Sequence, residues 1–69
     1  MDKLHILHKI HTWMWDIEKK YPGHPTEDAA WIDITDSADA LAEELGIKHG
    51  TYEAMLIADF MHTKERARA

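Results

Sequence analysis

Two clusters of chain breakers, Tyr21-Pro22-Gly23-His24-Pro25 and Gly46-Ile47-Lys48-His49-Gly50, cut this chain into three stretches of about twenty residues each. Either cluster is short enough to join neighbouring helices directly. With 69 residues the chain has room for one small domain, 1–69, and for none of the large enzyme folds. The composition is 45% apolar and 30% charged, ordinary globular usage that argues for a packed core rather than disorder.

The first stretch, about 2–20, sets Ile6, Ile10, Trp13, Ile17 and Tyr21 along one line with Leu7 and Met14 beside it. That is the helical period and no strand alternation. In the second, about 26–45, Thr26 is a usable N-cap, and the charges of Glu27 and Asp28 suit the positive end of a helix. Ala30, Ile34, Ala38, Leu41 and Leu45 make its stripe, edged by Trp31 and Ala42. Gly46 suits the left-handed position after the last turn, with Ile47 folding back on it. The weak point of this otherwise continuous helix is Ile32-Asp33-Ile34-Thr35-Asp36-Ser37, where β-branched and short polar side chains disfavour helix and leave room for a break. The third stretch, about 51–66, begins with Thr51 as a cap and carries Tyr52, Leu56, Phe60 and Thr63 on one face. Lys64, Arg66 and Arg68 follow at its negative end. The expectation is an all-α, three-helix bundle with short loops between antiparallel neighbours.

A bundle needs one apolar stripe per helix, and some apolar side chains fall outside the stripes. Leu4 and Trp15 project from the flank of the first helix, while Met55 and Met61 lie on opposite sides of the Leu56 and Phe60 line. Wide stripes are normal in tiny domains, which explains part of this surplus. Thioethers and large aromatics are also common at protein interfaces, so a homodimer through Trp15, Met55 or Met61 is the second expectation.

Charge is distributed unevenly. Tyr21 to Ile47 contains seven acids, Glu27, Asp28, Asp33, Asp36, Asp39, Glu43 and Glu44, and no Lys or Arg, whereas the net charge of the whole chain is −5. On a helix Asp28, Asp36, Asp39 and Glu43 share the side opposite the Ile34 and Leu41 stripe, with Ile32 enclosed among them. A solvated outer face is the plain interpretation. Solvated faces usually mix signs, however, because acids three or four apart repel by a few tenths of a kcal/mol. The reading adopted is a binding surface for a basic protein, formed by Asp28, Ile32, Asp36, Asp39 and Glu43. Its carboxylates would stand in for backbone phosphates, or would meet a neighbouring subunit's basic ends. Direct nucleic-acid binding is not expected, since the bases are few and split between the two ends.

Catalytic signatures are scarce. There is no Cys, Ser37 is the single serine and has no glycine-rich elbow, and Gly23, Gly46 and Gly50 are too scattered for a phosphate loop. The series Asp33, Asp36, Asp39 resembles helical magnesium sites of nucleotide pyrophosphohydrolases, but the third helix offers only Glu53, Asp59 and Glu65, not spaced to match. His5, His8 and His11 are three apart, so a pair could share Zn²⁺ or Ni²⁺; each step of three residues rotates the direction by about 60°, which keeps all of them from converging. No metal, no other cofactor and no enzyme activity are expected. Protonating all six histidines would move the formal charge from −5 to +1, so self-association is expected to respond between pH 7 and 5.

Ala54-Met55-Leu56-Ile57-Ala58, the longest aliphatic run, is far short of the roughly 20 residues that span a bilayer, and Asp2-Lys3 opens an amphipathic pattern rather than a signal sequence. The expectation is a soluble, cytoplasmic protein with no membrane partner. Trp13-Met14-Trp15-Asp16, Trp31 and Ser37-Ala38-Asp39-Ala40-Leu41 give the first two helices a tryptophan-rich pattern. It resembles that of short uncharacterised helical proteins of phages and mobile elements in Gram-positive bacteria. The resemblance transfers no site residues. It implies a context in which small acidic proteins occlude host proteins, including nucleic-acid-binding defence nucleases.

Overall fold

A computed structural model describes residues 2–66, and Arg68 lies outside them. Three helices account for the described fold: α1 (Lys3–Lys20), α2 (Asp28–Leu45) and α3 (Tyr52–Arg66). The chain is an all-α three-helix bundle, about 35 × 19 × 19 Å. No described helix is long and apolar enough to cross a membrane.

Each helix end is satisfied by a nearby group. Asp2 caps α1 by accepting from the His5 amide at 2.9 Å, and Lys19 and Lys20 sit in the last turn against the negative pole. Gly46 closes α2 at φ +67°, its amide bonding the Glu43 carbonyl while the Ile47 amide bonds that of Ala42 at 2.9 Å. This pair of bonds is the Schellman closure that glycine permits. Thr51 caps α3, its hydroxyl accepting from the Ala54 amide and donating to the Lys48 carbonyl.

α2 departs from expectation at its start, and its middle is continuous as expected. It begins at Asp28, two residues late, and Thr26 is not its cap. Glu27 holds that position without a side-chain bond, its carbonyl taking the Ala30 and Trp31 amides. The indole of Trp31 donates to the Pro25 carbonyl at 2.8 Å, so the loop is held by the ring instead of by a threonine hydroxyl. The stretch Ile32 to Ser37 does not break. Ile34 is fully buried, and the Ser37 hydroxyl donates to the Ile34 carbonyl at 2.9 Å while accepting the Trp13 indole N–H at 2.9 Å. Tertiary contacts thus override weak local preference.

α1 is the common neighbour of the other two helices, which approach each other only weakly. Ile10 and Ile34 are the two large side chains fully removed from water, with Trp13, Ile17, Ala38, Leu45 and Ile57 around them. Trp13 presents its edge to Phe60 at 5.3 Å between centroids, a preferred aromatic geometry. α3 is rotated from the expected face: Ile57 and Lys64 are buried, Leu56, Phe60 and Met61 half-buried, while Tyr52 and Thr63 are exposed.

Lys64 stands in the last turn of α3, at the negative end as expected, and its burial is what the sequence reading did not anticipate: it is only 3% exposed. Its ammonium donates to Glu18 Oε1 at 2.8 Å and to the Tyr21 carbonyl at 2.6 Å, and lies 5.8 Å from the Phe60 ring centre. A buried ammonium is tolerated when its protons are satisfied, and these bonds fasten the last turn of α3 to the turn after α1. The other side of that fastening is His24, whose Nδ1 lies 3.1 Å from the Lys64 carbonyl. A carbonyl only accepts, so Nδ1 carries the proton.

Candidate acidic interface on the second helix

Positions 28, 32, 36, 39 and 43 fall within a sector of about 80° on an α-helix, because steps of three and four residues nearly complete a turn. The buried stripe of Ala30, Ile34, Ala38 and Leu45 holds the opposite side against the core. α2 therefore presents Asp28, Ile32, Asp36, Asp39 and Glu43 outward, all of them exposed, and Ile32 keeps 61% of its surface. The ladder rises about 22 Å from first to last at 1.5 Å per residue.

Three acids of the run, Glu27, Asp33 and Glu44, are not on this face. Asp33 Oδ2 accepts from the Tyr21 hydroxyl at 2.6 Å and from Lys20 Nζ at 2.9 Å, joining the end of α1 to α2. The hydrogen bond from Tyr21, then that from Lys20, hold the Asp33 carboxyl below its ordinary range. The same bonds raise the Tyr21 hydroxyl and the Lys20 ammonium above theirs. Ion pairs among the described residues join Lys3 to Glu53, Lys20 to Asp33 and Lys64 to Glu18. None of them involves Asp28, Asp36, Asp39 or Glu43. These carboxylates face water with no cation of the described residues paired to them, and Asp36, Asp39 and Glu43 stand one turn apart.

Elsewhere on the surface, Leu4, Trp15 and Met55 are 79%, 66% and 54% exposed. Met61 is the exception among the expected apolar projections: it is half-buried against the core. His5, His8 and His11 lie exposed along α1. Among the described residues no three His, Asp or Glu side chains come together in a way that would hold a metal ion.

No known protein family, curated protein or solved structure matches the chain. A file of carboxylates around one exposed aliphatic side chain offers acceptors to Lys and Arg, with an apolar centre for a hydrophobic contact. Sequence reasoning found this file and missed the Glu18, Lys64 and Tyr21 junction. The signal available for it was spacing, since Lys64 stands seven residues after Ile57 and four after Phe60, on the core side of α3.

Proposed function

We propose that the chain is a non-catalytic protein-binding module whose acidic α2 face occupies a basic surface on another protein. The best candidate partner is a nucleic-acid-binding protein, with the carboxylates taking the places of phosphates. The observation that carries this reading is the outward file of Asp28, Asp36, Asp39 and Glu43 around exposed Ile32, with no cation of the described chain paired to it. Long-range attraction speeds the encounter of such a file with a basic groove, and Ile32 supplies the apolar anchor. A phage-encoded inhibitor that blocks a cytoplasmic defence nuclease is the context that the tryptophan-rich resemblance suggests.

The test is the double reversal Asp36→Lys/Asp39→Lys. Both positions are exposed and helical, so the fold is expected to survive within about 0.5 kcal/mol. Tagged wild-type chain, incubated with lysate of the organism that encodes it, is expected to retain basic nucleic-acid-binding proteins and to reduce their binding to DNA or RNA. The reversed chain is expected to lose both effects. Equal capture by the two chains would remove the proposed interface, and capture without loss of nucleic-acid binding would remove the occlusion.

A further inference from the structure

α1 carries a second face that the bundle leaves uncovered. Leu4, His8, His11, Trp15 and Lys19 are all exposed and follow one another at spacings of 4, 3, 4 and 4. Leu4 and Trp15 are the two most exposed of the large apolar side chains, at 79% and 66%. Read from its C-terminal end, the outward file of α2 is Glu43, Asp39, Asp36, Ile32 and Asp28, with the same spacings of 4, 3, 4 and 4. Every pair formed by laying one file antiparallel on the other has residue numbers that add to 47.

The chemistry of the pairs matches as well as the spacing. In this register Trp15 meets Ile32, Lys19 meets Asp28, His11 meets Asp36, His8 meets Asp39, and Leu4 lies on the stem of Glu43. Apolar groups meet apolar groups, and nitrogen donors meet carboxylates; an imidazole has an N–H to donate in either protonation state. The parallel alignment fails, since it sets Leu4 on Asp28, His8 on Ile32 and Trp15 on Asp39. Charge complementarity extends beyond the files: residues 1–20 hold four lysines against three acids, while residues 21–47 hold seven acids and no Lys or Arg. Helices meshed at three- and four-residue spacing are an ordinary packing mode.

Both files point away from the core of their own bundle, so one chain cannot satisfy both. We infer that a second copy of this chain docks the outer face of its α1, antiparallel, on the acidic outer face of α2. This rests on the reading of α2 as a docking surface and names one occupant of it. Each copy has one donating and one accepting face, so the contact is head-to-tail and closes into a ring or runs on as a filament. Two helices of about 25 Å bury less than the roughly 800 Å² a side of a standard complex, which makes the association a weak one that depends on concentration. Self-association then covers the same carboxylates that a foreign basic protein would take, and the two compete.

Sedimentation velocity on two variants and their mixture tests this. Wild type is expected to show a concentration-dependent mass above one chain between 10 µM and 1 mM. Trp15→Asp removes the α1 face, Asp36→Lys/Asp39→Lys removes the α2 face, and each alone is expected to lose at least tenfold in association while keeping its helical circular dichroism. Mixed in equal amounts, the variants are expected to form a 1:1 pair and nothing larger, since one intact face of each kind remains. Wild type that stays single at 1 mM, a mixture that stays single, or either variant associating as wild type does would overturn the inference. Trp15→Asp keeps the acidic face open. Its capture of basic host proteins therefore reports on the occlusion reading whether or not the chain associates with itself.

Discussion

Replacing Lys64 with Met tests whether a buried ammonium holds this bundle together. Methionine reproduces the first four side-chain atoms of lysine, so the packed stem stays and the charge goes. Hydrogen bonds to charged groups contribute about 1.5–3 kcal/mol each. The bond to Glu18 must be discounted, because that side chain is 49% exposed and water replaces the lost partner. The Tyr21 carbonyl, 2.6 Å from Nζ, loses its donor in a partly buried setting. The expected net cost of Lys64→Met is about 2 kcal/mol, mostly from that carbonyl. In a domain of this size it lowers Tm by about 8–16 °C in a melt followed at 222 nm. Lys64→Ala removes three methylenes as well, at about 0.8 kcal/mol each, for a total near 4 kcal/mol. A chain of this length is stabilised by only about 3–10 kcal/mol, so the Ala variant is expected to be partly unfolded at 37 °C. Acid adds an independent check. The hydrogen bond from Lys64, then that from the Gly23 amide, hold the Glu18 carboxyl below the ordinary glutamate range. Its contribution is therefore complete above that range and lost as pH falls through the lowered folded value. The gap between wild type and Lys64→Met is expected to narrow as acid protonates Glu18. A Met variant that melts at or above the wild-type temperature at pH 7 would show that the ammonium adds no net stability and would refute the reasoning, since buried ion pairs are sometimes outdone by apolar replacements.

Three further outcomes are expected. Ser37→Ala leaves the Trp13 indole N–H without its partner at 2.9 Å and is expected to cost about 1–2 kcal/mol, read as a lower urea midpoint; an unchanged midpoint would mean that water takes the serine's place. Gly46→Ala is expected to cost about 1 kcal/mol from backbone strain alone, because φ is +67° and an added Cβ meets nothing within 4 Å; a melt equal to wild type would show that the closure relaxes. The Asp33 carboxyl is held below the ordinary aspartate range, so its stabilising contribution is present above that range and lost as pH falls through the lowered folded value. Asp33→Asn is expected to flatten the acid limb of the stability curve, and an unaltered limb would assign acid unfolding elsewhere.

The legible parts of the fold are those in which spacing and chemistry agree. On α1 and α2 the buried apolar residues keep to three- and four-residue steps, and apart from Leu4, Trp15 and Ile32 the outer positions are mostly polar or alanine, so their core faces follow from the sequence. Gly46 followed by Ile47 marks the end of α2 for a stereochemical reason that tertiary contacts do not alter. α3 was less legible because Met55, Leu56, Ile57, Phe60 and Met61 surround much of the helix, leaving its orientation to be chosen by partners. Trp13 against Phe60 and the Lys64 bonds to Glu18 and Tyr21 make that choice, and these partners lie more than forty residues apart in sequence. The same holds for Thr26, whose capping role is displaced by a ring-to-carbonyl bond, and for Ile32 to Ser37, where burial outweighs propensity. The acidic file was readable from spacing alone. That Asp33 belongs to the scaffold was not, since its partners lie across the turn on α1.

The absence of intramolecular partners for Asp28, Asp36, Asp39 and Glu43 among the described residues separates two kinds of selection. On the proposed docking reading, substitutions there change what the molecule grips while its melting behaviour is expected to stay almost untouched, so the outer side of α2 is where sequence can drift in step with a changing target. The inward side of α1 has no such latitude, because both neighbouring helices must accept any replacement at once.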